Sequence, residues 1–593
     1  MQRLCIASLM ALLVAMSASR LTAAESSVAE AQQRRVEVVK KVAPSVVAIF
    51  GQTSAGGGSG VLISKDGFAL SNFHVTSGSG NFMKCGLNDG VLYDAVIVGI
   101  DPTGDVALIK LLGRDDFPVA TMGDSDNVQV GDWAYAMGNP FLLATDFQPT
   151  VTYGIVSGVH RYQYPAGSSF LEYTDCIQVD SSINPGNSGG PLFNDIGELV
   201  GINGRGSFEK RGRVNSGAGY AISINQIKHF LDHLRAGAIV DHATLGAAVQ
   251  TTPDGRVVVA SVLETSEAYR RGLRLNDEIV SFAGRPIRSV NQFKNILGIY
   301  PSGWRLPLTY RREEQKTDIL ARLRTVHTKA EMMPRQRPKP QPRPNQPKPK
   351  DGEKPKDGDK PKDAEPMPDE ADPHHGEQPA AKPPEKYKHL FVEKSGFANW
   401  YFNLEEQKRL KPLITAWGDY SKQTGSWVVT GRTEKKDDFK LTLSDKGLGL
   451  QLGTDPYFQD LEAKEYSDEP PGSGGFLVAM HQLRLMLTKG DAGFSEYYYL
   501  GSEPLDLTGD RVDVLVTTVR GVQTRWYFTR ERPTLVGFSS QLSEDVDECE
   551  VFFLTMREHE GRFFPGRILV RIGGRDYLIL EVANVAIGGN EKS

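Results

Sequence analysis

The stretch Asn184-Pro185-Gly186-Asn187-Ser188-Gly189-Gly190-Pro191-Leu192 decides how this chain is read. It sets a serine in a turn crowded with glycine, where backbone amides can approach a carbonyl without side chains in the way. Glycine reaches the positive-φ conformations that aim successive N–H groups at one point. Amides aimed in that way suit an oxyanion hole for acyl transfer. Taken alone, the same residues also make an ordinary polar hairpin turn, so the reading needs partners elsewhere in the chain.

Two upstream segments supply them. Gly58-Ser59-Gly60-Val61-Leu62-Ile63, then Asp66-Gly67, then Phe68-Ala69-Leu70-Ser71-Asn72-Phe73-His74-Val75 read as a β-hairpin with His74 at the end of its second strand. In Asp101-Pro102-Thr103-Gly104-Asp105-Val106-Ala107-Leu108-Ile109-Lys110, Asp105 opens a strand directly after a turn. Asp101 is a rival acid, but Asp105 leads straight into the apolar run. A serine hydroxyl is a weak nucleophile until a base takes its proton. Histidine, with an ordinary pKa of about 6.5, can accept that proton and return it to a leaving amine. A buried carboxylate fixes the imidazole tautomer. The chain order His74, Asp105, Ser188 is that of the chymotrypsin-type barrel, not of subtilisin or the α/β-hydrolases.

These segments resemble the HtrA/Deg family of exported, trypsin-like serine proteases that carry PDZ domains. The resemblance runs from about residue 35 to 325. It includes Ser71-Asn72-Phe73-His74-Val75, Asp105 to Lys110, Gly123-Asp124-Ser125, Val130-Gly131-Asp132-Trp133, Ala136-Met137-Gly138-Asn139-Pro140-Phe141, Thr152 to Ser157, and Ile177-Gln178-Val179-Asp180 leading into the serine turn. Ser71 stands where the family usually has threonine. The resemblance implies a chymotrypsin-like double β-barrel over 30–238. Gly186, Asn187 and Ser188 would form its oxyanion loop, with Gly186 and Ser188 supplying amides and Asn187 holding the turn. Ser182, six before the nucleophile, would lie at the base of the specificity pocket, with Ile183 and Tyr220 as apolar walls. Without an acid at that base, a substrate Lys or Arg would bury an unpaired charge. The expected preference before the cut is therefore a small or medium aliphatic residue.

A second module follows over 243–326. Leu245 to Val249, Val257 to Ala260 and Asp277 to Phe282 read as strands. Ser266 to Leu273 reads as a short helix, and Ser289 starts another through Leu297. The module resembles a PDZ domain. Asn276 takes the glycine position of the family's Gly-Leu-x-x-Gly-Asp-x-Ile, and asparagine tolerates positive φ. Leu245, Gly246 and Ala247 would be its carboxylate-binding loop, receiving a peptide C-terminus as an added strand.

The remaining chain carries less chemistry. Met1-Gln2-Arg3, an apolar stretch to Met16 and small residues before Glu25 read as a cleaved secretory signal over 1–24. Cys85, Cys176 and Cys549 are too few and too scattered for a disulfide framework and read as buried thiols. No Cys/His cluster has metal-ligand spacing, and no cofactor is expected. A net charge of −5 over 593 residues does not point to nucleic acid. Residues 327–386 are rich in proline and charge and read as a disordered, polyproline-II-like spacer. Over 387–590 the hairpin Phe439–Leu443/Leu448–Leu452, strands at Val512–Val519, Thr524–Thr529, Val551–Met556, Gly566–Ile572 and Asp576–Val582, and a helix near Gly475–Thr488 suggest an α+β domain with a curved antiparallel sheet. Its hairpins weakly resemble the half-barrels of periplasmic lipoprotein carriers, and its clusters Tyr497-Tyr498-Tyr499 and Trp526-Tyr527-Phe528 read as sheet packing.

The expected protein is an exported serine endopeptidase, periplasmic or secreted, that degrades unfolded or misfolded proteins. The family implies homotrimers. The alternative is a non-enzymatic chaperone or scaffold that holds client C-termini through the PDZ domain.

Overall fold

In Val106–Leu111, alternate residues enter two different apolar clusters: Val106 and Leu108 one, Ala107, Ile109 and Leu111 the other. A strand buried on both faces reads in sequence as a continuous apolar run rather than an alternation. This strand belongs to the first of two barrels. The structure is a computed structural model that describes residues 28–50, 57–139, 146–163, 171–184, 186–208, 215–332, 384–423, 425–505 and 510–587. The expected signal segment, the loop after Phe50 and most of the Pro/Lys-rich stretch lie outside them.

Residues 28–42 form helix α1, whose end packs Val38, Val39 and Val42 against a core shared by both barrels. That barrel is closed by Val46–Phe50, Gly57–Leu62, Phe68–Ser71, Phe82–Gly86, Leu92–Asp101 and Val106–Leu111. The two runs around Asp66-Gly67 pair as an antiparallel hairpin, Val61 opposite Leu70. Past Ser71 the chain turns into a short helix, α2 (Phe73–Ser77), so His74 stands on a helical turn rather than on the strand. The second sheet holds Trp133–Gly138, Thr150–Gln163, Tyr173–Val179, Pro191–Phe193, Glu198–Phe208 and Asn215–Ser223, and pairing of Pro191–Phe193 with Glu198–Phe208 closes it. Helix α3 (Ile224–Arg235) ends this half. Its Ile224, Ile227, Phe230 and Leu234 point into the core at helical spacing. Cys85, Cys176 and Cys549 are free and buried, and burial drives all three thiol pKa values up.

Residues 247–322 build a sheet in the order Ala247–Thr251, Val257–Val262, Glu278–Phe282, Arg305–Arg312, Gln315–Arg322. Ser266 and Ser289 cap helices α4 (Glu267–Arg270) and α5 (Val290–Leu297), accepting from Tyr269 N and Gln292 N. Asn276 has φ 67°. Asn295 of helix α5 bonds the second barrel twice. Asn295 Oδ1 accepts from Asp175 N at 2.6 Å, while its Nδ2 donates to the His160 carbonyl at 2.9 Å.

The expected spacer is narrower than 327–386. Helix α6 (Lys329–Met332) buries Met332 against the first barrel, and beyond residue 384 a 3-10 turn returns Tyr387 and Leu390 to the same unit. Helix α7 (Trp400–Thr415) leads into an eleven-stranded antiparallel sheet from Trp427–Thr433 to Arg575–Ile587. Against it lies α8 (Phe476–Lys489), buried on nearly every side. Trp526, Tyr527 and Phe528 are fully buried.

This C-terminal region is docked on both earlier units. Asn399 Nδ2 donates to the Ile97 carbonyl at 2.8 Å, and Asn403 Nδ2 to that of Ala236 at 2.9 Å. His233 of α3 is fully buried beside Gly501, and burial holds it down to about 4. Trp304 Nε1 donates to the Ser502 carbonyl at 2.9 Å. Beside it, Arg305 and Arg322 meet Glu548, with Arg322 Nη2 to Glu548 Oε2 at 2.9 Å, while Arg525 reaches Glu503 at 2.7 Å. Burial would push Glu548 up, but Arg322, Arg305 and Arg525 outweigh it and hold the carboxyl at about 2.

Candidate active site

Asp105 precedes its strand in the left-handed region, at φ 57°. A non-glycine residue there costs on the order of 1 kcal/mol, so its surroundings must fix it. Its carbonyl accepts from Asn72 Nδ2 at 2.9 Å and Phe73 N at 3.2 Å. Its carboxylate is fully buried. Oδ1 accepts from the His74 backbone N–H at 3.0 Å, and Oδ2 lies 2.7 Å from His74 Nδ1. A carboxylate only accepts, so Nδ1 carries the proton and Nε2 is left as the base. Asp101, the rival acid, instead pairs with the buried His242 at 2.8 Å.

The serine turn is tied to this unit by small residues. Gly189, at φ 82°, leaves no room for a side chain: a Cβ would run into the Ser59 carbonyl and Ser71 Oγ and lie 3.0 Å from Asn72 N. A Cβ on Gly58 would meet the Val75 methyl groups and, at 2.9 Å, the Ser188 carbonyl. The His74 turn and the Ser188 turn therefore press on the same two glycines. Ser71 Oγ donates to the Ser59 carbonyl at 2.7 Å, a bond the family's threonine would also make. Ser59 Oγ donates to the Gly186 carbonyl at 2.6 Å and accepts from Asn139 N at 2.9 Å. Ser188 Oγ donates to the Gly204 carbonyl at 3.2 Å.

The amides of the turn divide into two sets. Asn187 N donates to Asn184 O at 2.9 Å, Gly189 N to Asn203 O at 2.8 Å and Gly190 N to Asn187 O at 3.0 Å. Those of Gly186 and Ser188 meet no acceptor among the described residues. Asn187, expected to hold the turn, spends its amide inside the loop, and its side chain donates to the Ser182 carbonyl at 3.4 Å. Pro185 lies outside the described residues.

Ser182 is exposed, and its carbonyl also accepts from Thr152 Oγ1 at 3.1 Å. Ile183 is buried against Gly219, where a Cβ would lie 2.6 Å from Ile183 Cδ1. Tyr220 follows directly, opposite Gln178. In the following unit Leu245 is wholly buried in its core, so its side chain is not a ligand contact. The Gly246 amide, at φ 72°, donates to Thr244 Oγ1 at 3.2 Å. Ala247 begins an edge strand paired on one side only, with Val257–Val262.

One residue at the site carries no sequence signal. Tyr173 donates its hydroxyl to Asp105 Oδ2 at 2.6 Å, 68 positions along the chain. No motif contains it, and only the closing of two barrels onto each other brings it there.

The trypsin-like peptidase domain family matches residues 58–202, a stretch that reaches into both barrels. Among relatives, a probable periplasmic DegP-like serine endoprotease of Chlamydia trachomatis is 35% identical over 279 residues, covering 45% of this chain and 54% of its own. The periplasmic serine endoprotease DegP of Escherichia coli is 35% identical over 274 residues, covering 44% and 56%. Among solved structures, the HtrA-type protease AlgW with a tripeptide is 31% identical, covers 49% of this chain and 97% of its own, and has a TM-score of 0.41. Over the matched residues the chain is similar to HtrA/Deg proteases. It spans about half the length of the curated relatives it matches.

Proposed function

We propose that the chain is an exported serine endopeptidase that hydrolyses peptide bonds of unfolded or misfolded proteins, in protein quality control. The observation that carries this reading is the Asp105–His74 pair facing a serine turn in which the Gly186 and Ser188 amides are left for an oxyanion. On this reading a substrate carbonyl enters that turn and the Ser188 hydroxyl swings from Gly204 to His74 Nε2. His74 takes the proton, Ser188 Oγ attacks, and the two amides hold the charge that develops on oxygen. His74 then protonates the leaving amine and activates the water that hydrolyses the acyl-enzyme. Asp105 keeps the imidazole in its tautomer. Ile183 and Tyr220, with Ser182 at the base, favour small or medium aliphatic residues before the cut.

Residues 243–326 act in this proposal as a PDZ domain, whose edge strand at Ala247–Thr251 receives a peptide C-terminus. Homotrimers are the proposed assembly. An exposed aromatic patch, Trp133 stacked on Tyr153 at 4.7 Å with Arg35 over the same ring, supports a self-associating face on the second barrel. Removal of residues 1–24 would release the chain into a periplasm or beyond the cell.

The test is degradation of unfolded casein by the mature protein beside its Ser188→Ala variant. Degradation by the first alone supports the endopeptidase. Intact casein with both, held soluble, favours a chaperone that captures clients without cleaving them. The one observation on the chaperone's side is the serine hydroxyl turned toward Gly204 rather than toward its base.

A further inference from the structure

Asp105 Oδ2 accepts two hydrogen bonds, and only one comes from the histidine. The other is the Tyr173 hydroxyl at 2.6 Å, against 2.7 Å for His74 Nδ1. Tyr173 opens the strand Tyr173–Val179 of the second barrel and is 3% exposed. Asp105 ends the turn before a first-barrel strand. The bond therefore crosses from one barrel to the other at the acid, between two side chains withdrawn from bulk solvent. Hydrogen bonds to an ionised, desolvated acceptor are the strong ones.

The room for this bond is made by Gly204. A Cβ on Gly204 would lie 2.6 Å from Tyr173 Cε1 and 3.0 Å from its hydroxyl oxygen. Gly204 is also the residue whose carbonyl accepts from Ser188 Oγ. One glycine thus admits the phenol and holds the resting serine hydroxyl. A side chain there would fill the phenol's space.

Resting on the endopeptidase reading above, we propose that Tyr173 is a positioning residue for the catalytic acid, seated by Gly204. Its hydroxyl pins Oδ2 toward His74 Nδ1 and so keeps the first barrel's imidazole in register with the second barrel's nucleophile. Tyr173 touches no substrate, so its loss should appear in the chemical step and not in binding. A misaligned base costs rate because the reacting atoms are no longer held in line.

The experiment is steady-state cleavage of an unfolded protein or an extended peptide by the full chain. Tyr173→Phe removes one oxygen and keeps the ring. Its kcat is expected to fall about tenfold, with KM within about twofold and the thermal midpoint nearly unchanged. Tyr173→Val combined with Gly204→Ser places a new hydroxyl near the lost phenol oxygen. It should recover at least about threefold in kcat over Tyr173→Val alone. Wild-type kcat in Tyr173→Phe, a loss carried by KM, or a double variant no better than Tyr173→Val would overturn the proposal. Ser188→Ala separates the two levels. A wild type no better than Ser188→Ala brings down the endopeptidase reading and this proposal with it. An active wild type matched by Tyr173→Phe brings down the positioning role alone.

Discussion

Asp105 and Glu548 are both carboxylates withdrawn from water, and they are served in opposite ways. Around Asp105 the donors are an imidazole, a phenol and a backbone amide. Around Glu548 they include the guanidinium groups of Arg305 and Arg322, with Arg525 close enough to help hold its pKa down. A carboxylate beside an imidazole fixes the tautomer of a group suited to act as a base. One set among permanent cations keeps its charge and serves to fasten parts together. Of these two buried carboxylates, one stands beside an imidazole where two barrels meet and the other holds the C-terminal region against the unit that follows them.

The contrast breaks first at Asp105. Asp105→Asn should preserve the fold but reverse the preferred imidazole tautomer, lowering kcat by about 10⁴ in casein cleavage. A loss smaller than about tenfold would mean that His74 is not oriented by this residue.

Glu548→Ala should instead leave cleavage chemistry intact and cost about 1–3 kcal/mol of docking, because Arg305 and Arg322 lose one carboxylate and keep Glu550 and Glu503 as partners. The measurement is the denaturant midpoint of the step that frees residues 384–587. The pH dependence has a definite sign. Glu548 is lowered from 4.5 to about 2 in the fold, so its contribution is complete above pH 4.5 and drains away as pH falls toward 2. His229 and His233 are lowered from 6.5 to about 4 by burial, so their burial weakens the fold over the earlier window, from pH 6.5 down to 4. Docking that fails only above neutral pH would contradict both assignments.

The smallest effect belongs to Asn276. Asn276→Ala forces a Cβ residue without asparagine's local hydrogen bonding into φ 67° and should cost about 1 kcal/mol, whereas Asn276→Gly should be neutral or better. Equal midpoints for the two variants would show that this turn is not strained.

Sequence and structure part company at identifiable places. Hairpins with Asp-Gly or Asp-Lys-Gly turns, capped helices at Ser266 and Ser289, and the strand after Asp105 were legible because their signals are local: a turn residue, a cap, an unbroken apolar run. Helix α7 was not. It contains Pro412 and a weak apolar face, and it is held from outside by Asn399 and Asn403. The strands Trp427–Thr433, Asp455–Asp460, Glu496–Pro504 and Leu535–Gln541 were missed for a related reason, since sheet neighbours rather than propensity select them. The segments flanking the proline-rich stretch carried no local signal because Met332, Tyr387 and Leu390 find their apolar contacts on distant strands of the barrels.

The residue types by themselves determined that an alcohol, an imidazole and an acid stand at chain turns and that glycines flank the alcohol. Those are statements about neighbours in the chain, and backbone freedom and side-chain chemistry suffice to make them. Folding alone decided that Tyr173 completes the shell of Asp105, that the Asn187 amide turns inward, and that arginines near residues 305 and 322 meet glutamates more than 180 positions away. Such pairings depend on which surfaces close against each other, and no local signal records that.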